Sequence, residues 1–275
     1  MSQSPENQVF EFQKAQLHYH KTGKGNKVLL AFHGFGQSKQ HFIHFSQPLR
    51  DTYTIYSFDL FYHGMSFWHE KEKPMKKQFW TNLLNEFFKV EGIKTCSLAG
   101  YSMGGKFALA TLEAFPEKIE KLILIAPDGI KTSFWYSLAT YPSWIRRFFR
   151  SLIVNPKPFH LMVDSMSKIG LMDKGIIKFA SSQMNTRGKR RRVYYTWVVF
   201  RLLKFDMELI ASLVNKHNIG LEMFLGKYDK VIILKNMQRL LKKTKKYDLH
   251  ILECGHNTLI DEVAKFYENK KLKVH

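Results

Sequence analysis

The sequence predicts an α/β fold in which a mostly parallel central sheet is flanked by helices and interrupted by a helical insertion. Three observations predict it. Short apolar runs bounded by turn residues, such as Lys27–Phe32 (KVLLAF) and Lys121–Ala126 (KLILIA), recur along the chain and suit strands buried on both faces. Helix-forming stretches separate these runs, as parallel neighbours require. Between residues 130 and 205 the alternation stops, and the segment is aromatic, basic and helical in tendency. The expected organisation is a core of residues 1–129 and 206–275 carrying a helical cap, or lid, at 130–205.

Taken in order, Val9–Tyr19 alternates loosely and reads as an edge strand or the first arm of a hairpin, ending in a turn at Gly23–Asn26. Lys27–Phe32 runs into His33-Gly34-Phe35-Gly36, and a helix is expected over Ser38–Leu49. Thr52–Leu60 (TYTIYSFDL) is the next strand and opens into the loop Asp59–Ser66, followed by an amphipathic helix over Lys76–Lys89. At Cys96–Ala110 (CSLAGYSMGGKFALA) an apolar run meets Gly100-Tyr101-Ser102-Met103-Gly104 and passes directly into a helix-forming stretch, Lys106–Ala114. Lys121–Ala126 is another buried strand and ends at Pro127-Asp128-Gly129. Past the insertion, strand Ile219–Leu225 leads to Gly226-Lys227-Tyr228-Asp229 and a basic helix over Ile232–Lys243. Asp248–Leu252 is the last strand, before Glu253-Cys254-Gly255-His256 and a final helix reaching about Lys270.

Composition narrows the class. With 275 residues, 45% hydrophobic and 24% charged, the chain can bury a large core and is not disordered. Its two cysteines, Cys96 and Cys254, offer no framework of bridges, so a cytoplasmic setting is expected. The N-terminus MSQSPENQVF has neither a basic start nor an apolar stretch, so no signal peptide is expected, and no apolar run approaches a membrane span. The charge balance is unusual: 43 Lys and Arg face 23 Asp and Glu, a net +20. Between Lys131 and Phe205 there are fifteen basic residues against two acidic ones. Such a field favours anionic partners, whether a lipid surface at which the protein would be peripheral, nucleic acid or an acidic small molecule, although a lineage habit of lysine-rich surfaces accounts for it equally well.

Gly100 to Gly104 has the strand, sharp turn and helix context of a nucleophile elbow, G-x-S-x-G. A serine on so tight a turn has a strained backbone, and glycines on either side remove the Cβ atoms that would collide there. The following helix points its unpaired N–H groups and positive dipole end toward the serine. Ser102 is therefore the candidate nucleophile.

Together with His33-Gly34-Phe35, the Asp59–Ser66 loop, Asp229 after a late strand and Gly255-His256 after the last, this elbow makes the chain resemble the α/β-hydrolase superfamily over nearly its whole length apart from the cap. The chain order serine, acid, histidine is the one this fold uses. The resemblance implies that His256 accepts and returns the proton of Ser102, and that Asp229 fixes the imidazole tautomer. It also implies an oxyanion hole built from the backbone N–H groups of Phe35 and Met103. Asp128 is the runner-up acid, because it too follows a buried strand, although Asp128-Gly129 also reads as plain turn chemistry. His33 and His63 are expected to brace their loops. His18 and His20, and His69 with Glu70, lack the further ligands of a zinc site, so no metal and no cofactor are predicted.

The resemblance implies a serine hydrolase acting on a carboxylic ester or thioester of a small or lipid-like acyl group through an acyl-serine. A lyase resembling the menaquinone-pathway members of the fold, acting on an anionic substrate, and a ligand-binding receptor without activity are the alternatives. In the insertion, Phe134, Trp135, Tyr136, Tyr141, Trp144, Phe148 and Phe149 are interleaved with Arg146, Arg147 and Arg150. They suit a pocket for an apolar acyl chain with an anionic end, a lipid surface, or simply the aromatic core of a helical cap. The run Arg187–Arg192 (RGKRRR) has no accompanying nucleic-acid motif, which argues against nucleic acid as partner.

Overall fold

The computed structural model describes residues 6–131, 134–168 and 181–272. The strands are β1 (Glu6–Phe12), β2 (Ala15–Thr22), β3 (Lys27–Phe32), β4 (Tyr53–Phe58), β5 (Cys96–Tyr101), β6 (Ile119–Ile125), β7 (Gly220–Gly226) and β8 (Tyr247–Leu252). They form one sheet in the order β1-β2-β4-β3-β5-β6-β7-β8, antiparallel at β1/β2 and β2/β4 and parallel at every other pair. The helices are α1 (Ile43–Ser46), α2 (Lys77–Val90), α3 (Gly104–Ala114), α4 (Phe134–Thr140), α5 (Ser143–Ser151), α6 (Lys157–Lys168), α7 (Arg187–Val199), α8 (Met207–Lys216), α9 (Leu234–Leu241) and α10 (Leu259–Leu272). This is the α/β-hydrolase fold, with both sheet faces covered.

Side chains alternate across the sheet as the two-residue period of a strand dictates. Leu29 and Ala31, Ala99 and Tyr101, and Ile123 and Ile125 share one core cluster with Phe42 and Phe45 and with Ile260, Val263 and Tyr267 of α10. On the opposite face Phe32 stacks on Phe58 with centroids 5.5 Å apart and meets the rings of Trp80 in α2 and Phe107 in α3. The buried Trp80 indole is satisfied, since its Nε1–H donates to Thr111 Oγ1 at 3.0 Å.

Two local expectations are corrected. Val9–Tyr19 is the middle of a hairpin whose turn is Gln13-Lys14, both at positive φ (46° and 67°). Such a turn usually advertises itself with Asn or Gly, and here it does not. Ser38–Leu49 is not one helix but a 3-10 turn at Lys39–Phe42, the single turn α1, and a second 3-10 turn at Gln47–Leu49. Pro48, which lacks an N–H, sits where a continuing helix would need a donor.

The described residues fall into two compact units. One comprises Met1–His69, Lys76–Lys131 and Leu203–His275; the other comprises Glu70–Met75 with Thr132–Leu202. Within the second unit Ile153, Tyr194 and Val198 form a core against which Phe149 and Tyr195 pack. Glu72 joins its segment to that core, accepting from the Tyr194 hydroxyl at 3.0 Å and pairing with Arg150 at 3.1 Å. The RGKRRR run forms the first turns of α7, where Arg190 donates to the carbonyls of Ile153 and Met184. Among the described residues no helix is long and apolar enough to cross a membrane.

A buried ion pair ties the loops after β3 and β4 together in the first unit. Asp59, fully buried, accepts from the Lys39 ammonium at 2.6 Å and from the backbone N–H groups of Lys39 and Met65 at 2.8 and 3.0 Å. Burial alone would raise its carboxyl, but these donors outweigh burial and hold it below the ordinary value of 3.8. A carboxylate lowered in the folded state contributes stability that is fully present above 3.8 and is lost as the pH falls through the native value. Asp59→Asn leaves Lys39 buried without a counter-charge and is expected to cost about 3–5 kcal/mol in urea unfolding near neutral pH, with a smaller acid-induced loss than in the wild type.

Candidate active site

The parallel strands present their carboxyl ends along one edge of the sheet, and the candidate residues lie on the loops that leave it. Ser102 follows β5 at φ +50°, the left-handed region that a non-glycine residue rarely enters. Three backbone bonds hold it there. Its N–H donates to the Ile125 carbonyl at 2.9 Å, and its own carbonyl accepts from Gly105 and Asp128 at 2.9 and 2.8 Å.

The glycines of the elbow are spatial necessities. A Cβ on Gly104 would lie 1.8 Å from the Phe32 carbonyl oxygen, and one on Gly100 would lie 2.8 Å from the Gly104 oxygen. The first turn of α3 therefore abuts the end of β3 directly, bringing the Met103 region against the His33-Gly34-Phe35 loop. Among the described residues neither the Phe35 nor the Met103 backbone N–H has a hydrogen-bond partner.

His256 opens the turn after β8, and Asp229 lies on the loop after β7. Backbone bonds from Lys227 to Leu252 (2.8 Å) and from Tyr228 to Cys254 (3.0 Å) zip the two loops together. His256 Nδ1 lies 2.6 Å from Asp229 Oδ2, and Nε2 lies 3.1 Å from Ser102 Oγ. An ionised carboxylate only accepts, so Nδ1 carries the proton and Nε2 is left to accept from the serine hydroxyl. The other Asp229 oxygen accepts from the N–H groups of Val231 and Ile232 at 2.7 and 2.9 Å, which fixes the carboxylate plane. The Asp229 side chain is fully buried, whereas that of His256 keeps 16% exposure.

Asp128 is placed elsewhere. Its carboxylate pairs with the Lys106 ammonium at 2.9 Å and accepts from the Gly129 N–H at 2.6 Å. His33, fully buried, donates from Nδ1 to the Gly34 carbonyl at 2.7 Å and accepts at Nε2 from the Leu60 N–H at 3.0 Å. It braces the loops after β3 and β4. His63 lies 3.1 Å from the Phe61 carbonyl and meets the Phe35 ring edge-on. His18 and His20 sit on the β2 face near the Lys39–Asp59 pair, where burial first and the Lys39 charge second lower both imidazoles. Among the described residues no group of three His, Cys, Asp or Glu side chains is arranged to hold a metal ion.

Sequence reasoning gave Tyr101 no role beyond filling the elbow motif. In the structure its hydroxyl donates to the His256 carbonyl at 2.6 Å and its ring stacks on the imidazole with centroids 5.4 Å apart. The contact spans 155 positions, so no local pattern could reveal it.

The comparisons with known proteins agree with this architecture. Residues 27–161 match a family model described as alpha/beta hydrolase fold. The chain is 27% identical over 114 residues to the dihydrolipoyllysine-residue acetyltransferase component of an acetoin cleaving system from Cupriavidus necator, covering 42% of this chain and 30% of that protein. It is 31% identical over 110 residues to a candidate esterase/lipase of Haemophilus influenzae, covering 40% of this chain and 37% of that one. The chain thus spans about a third of the length of these curated relatives. Among solved structures, MGS-M2, an alpha/beta hydrolase enzyme from a Medee basin deep-sea metagenome library, superposes with a TM-score of 0.68, covering 95% of each chain at 16% identity. At that identity the likeness is one of fold.

Two substitutions test the site's construction. Gly104→Ala forces a methyl group into the Phe32 carbonyl and is expected to destabilise by more than about 3 kcal/mol in denaturant unfolding, or to leave no soluble protein. Tyr101→Phe keeps the ring but loses one hydrogen bond, for an expected cost of about 1 kcal/mol in the same measurement.

Proposed function

We propose that this chain, which has the α/β-hydrolase fold and matches the alpha/beta hydrolase fold family model over residues 27–161, is a serine hydrolase that cleaves a carboxylic ester or thioester of a small or lipid-like acyl group. One observation carries this reading: the His256 imidazole lies within hydrogen-bond reach of both Asp229 and Ser102, at 2.6 and 3.1 Å. The candidate esterase/lipase among the relatives supports the same class.

Ser102 Oγ adds to the acyl carbonyl carbon as His256 Nε2 takes its proton, and Asp229 stabilises the imidazolium that forms. The carbonyl oxygen becomes an oxyanion and accepts hydrogen bonds from the N–H groups of Met103 and Phe35. Collapse breaks the bond to the leaving alcohol or thiol, which receives the proton from His256. A water molecule, deprotonated in turn by His256, attacks the acyl-serine and releases the carboxylic acid with Ser102 restored. The chemistry needs neither a cofactor nor a metal.

Purified protein is expected to hydrolyse short p-nitrophenyl esters and to be labelled at Ser102 by a fluorophosphonate. Ser102→Ala should abolish labelling and lower turnover by about 10⁴-fold or more, and Asp229→Asn should lower turnover by about 10⁴-fold through the wrong imidazole tautomer. Asp128→Asn should cost less than about tenfold, because that carboxylate faces Lys106. Labelling without turnover of any ester would point to lyase chemistry. Absence of both would point to a ligand-binding protein.

A further inference from the structure

We propose that α5 is the docking surface by which this protein rests on a lipid bilayer carrying anionic headgroups. The helix has two apolar sides and only one of them is used by the fold. Ile145 and Phe149 face inward, where Phe149 packs against Tyr194 and Trp197 at 5.3 and 5.6 Å. Trp144 and Phe148, one turn apart on the other side, are 71% and 53% exposed. Single exposed apolar residues are ordinary, but two large exposed aromatics one turn apart on one helix face are not.

Charge selects the occupant of that face. Arg147 lies three residues from Trp144 on the same side and forms no ion pair or hydrogen bond among the described residues. Among the described residues the acidic group paired with α5 is Glu72, and it is engaged by Arg150 and by the Tyr194 hydroxyl. Arg146 donates to the Thr140 carbonyl at 3.3 Å. From residue 132 to residue 163 the chain has no Asp or Glu, so nothing else there offsets the arginines and Lys157. Val154, just past α5, and Leu161 in α6 are also exposed, at 72% and 68%. Exposed aliphatic side chains fit acyl chains and have no use on a nucleic acid, whose bases would call for stacking partners alone. Aromatic anchors flanked by arginines, with Arg147 left without a partner among the described residues, are the composition of a helix lying in a bilayer interface, where the rings sit at the headgroup boundary and a guanidinium meets phosphate.

The test uses the full chain and vesicles of phosphatidylcholine, alone or with about 30% phosphatidylglycerol, in sedimentation at roughly 50 and 300 mM salt. The expected result is binding to the anionic vesicles at low salt, weaker binding at high salt, and little on the neutral ones. Trp144→Ser with Phe148→Ser should lower partitioning about tenfold or more. Val90→Ser, which removes an equally exposed residue from α2, should leave it unchanged. Brominated acyl chains should quench fluorescence in the wild type and much less in Trp144→Phe, which reads the same contact should the double variant misfold. No binding at low salt, equal binding to neutral vesicles, or full binding by a folded double variant overturns the proposal, as does duplex DNA binding that the same double variant abolishes. Vesicle binding is read without turnover, so its failure is separate from any failure of the serine chemistry.

Discussion

The site depends on a backbone approach that leaves no room for a Cβ. Because Gly104 meets the Phe32 carbonyl and Gly100 meets Gly104 itself, β5 and α3 fold back on each other at a spacing no other residue permits. Ser102 is thereby driven to φ +50°, a conformation that costs an L-residue roughly 1–2 kcal/mol. It persists because three backbone hydrogen bonds, to and from Ile125, Gly105 and Asp128, determine its position more than once over. Strain held this way is also orientation. The hydroxyl stands at the head of α3, next to the Met103 N–H, which has no partner among the described residues.

The second constraint is the zipping of the loops after β7 and β8. Those strands are parallel neighbours at one side of the sheet, so Asp229 and His256 leave the same edge on adjacent paths. The Lys227–Leu252 and Tyr228–Cys254 bonds then shorten the gap until a carboxylate and an imidazole must touch. Gly226 makes this possible, since a Cβ there would lie 2.6 Å from the Cys254 carbonyl. From the opposite direction Tyr101 supports the histidine with both ring and hydroxyl. The residue that precedes the serine in sequence therefore helps hold its partner in space.

What the sequence reveals and conceals follows from the range of each interaction. Buried strands such as Lys27–Phe32 and Lys121–Ala126 are legible because their apolar period is local, and Ser102, Asp229 and His256 stand out because each follows such a strand. The Gln13-Lys14 turn is not legible, since neither residue carries the usual mark of a left-handed backbone. Nor is the buried Lys39–Asp59 pair, whose members look like any surface lysine and any loop aspartate until the sheet brings β3 and β4 side by side. Glu72 is a third case. It sits in a charged stretch that reads as plain loop, yet its segment belongs with the core of residues 132–202 through Tyr194 and Arg150. The basic run of α7 is harder still, because five cationic residues opposed to the helix dipole argue locally against a helix start. The Thr186 side chain, accepting from the Lys189 N–H, supplies the cap that starts it.

The two aspartates that compete for the histidine differ less in position than in company. Asp128 and Asp229 follow neighbouring parallel strands, β6 and β7, so topology alone offers either of them. Asp128 is already neutralised by a buried lysine. An imidazolium forming beside it would feel that ammonium as well as the carboxylate, and much of the attraction would cancel. Asp229 has only neutral N–H donors on its second oxygen, and among the described residues no lysine or arginine pairs with it. Its charge is uncompensated until His256 is protonated, in a place where burial weakens screening by water. The 2.6 Å contact thus joins the imidazole to the carboxylate that has no other ion-pair partner among the described residues. The Lys106 pair leaves the other free to do structural work behind the elbow.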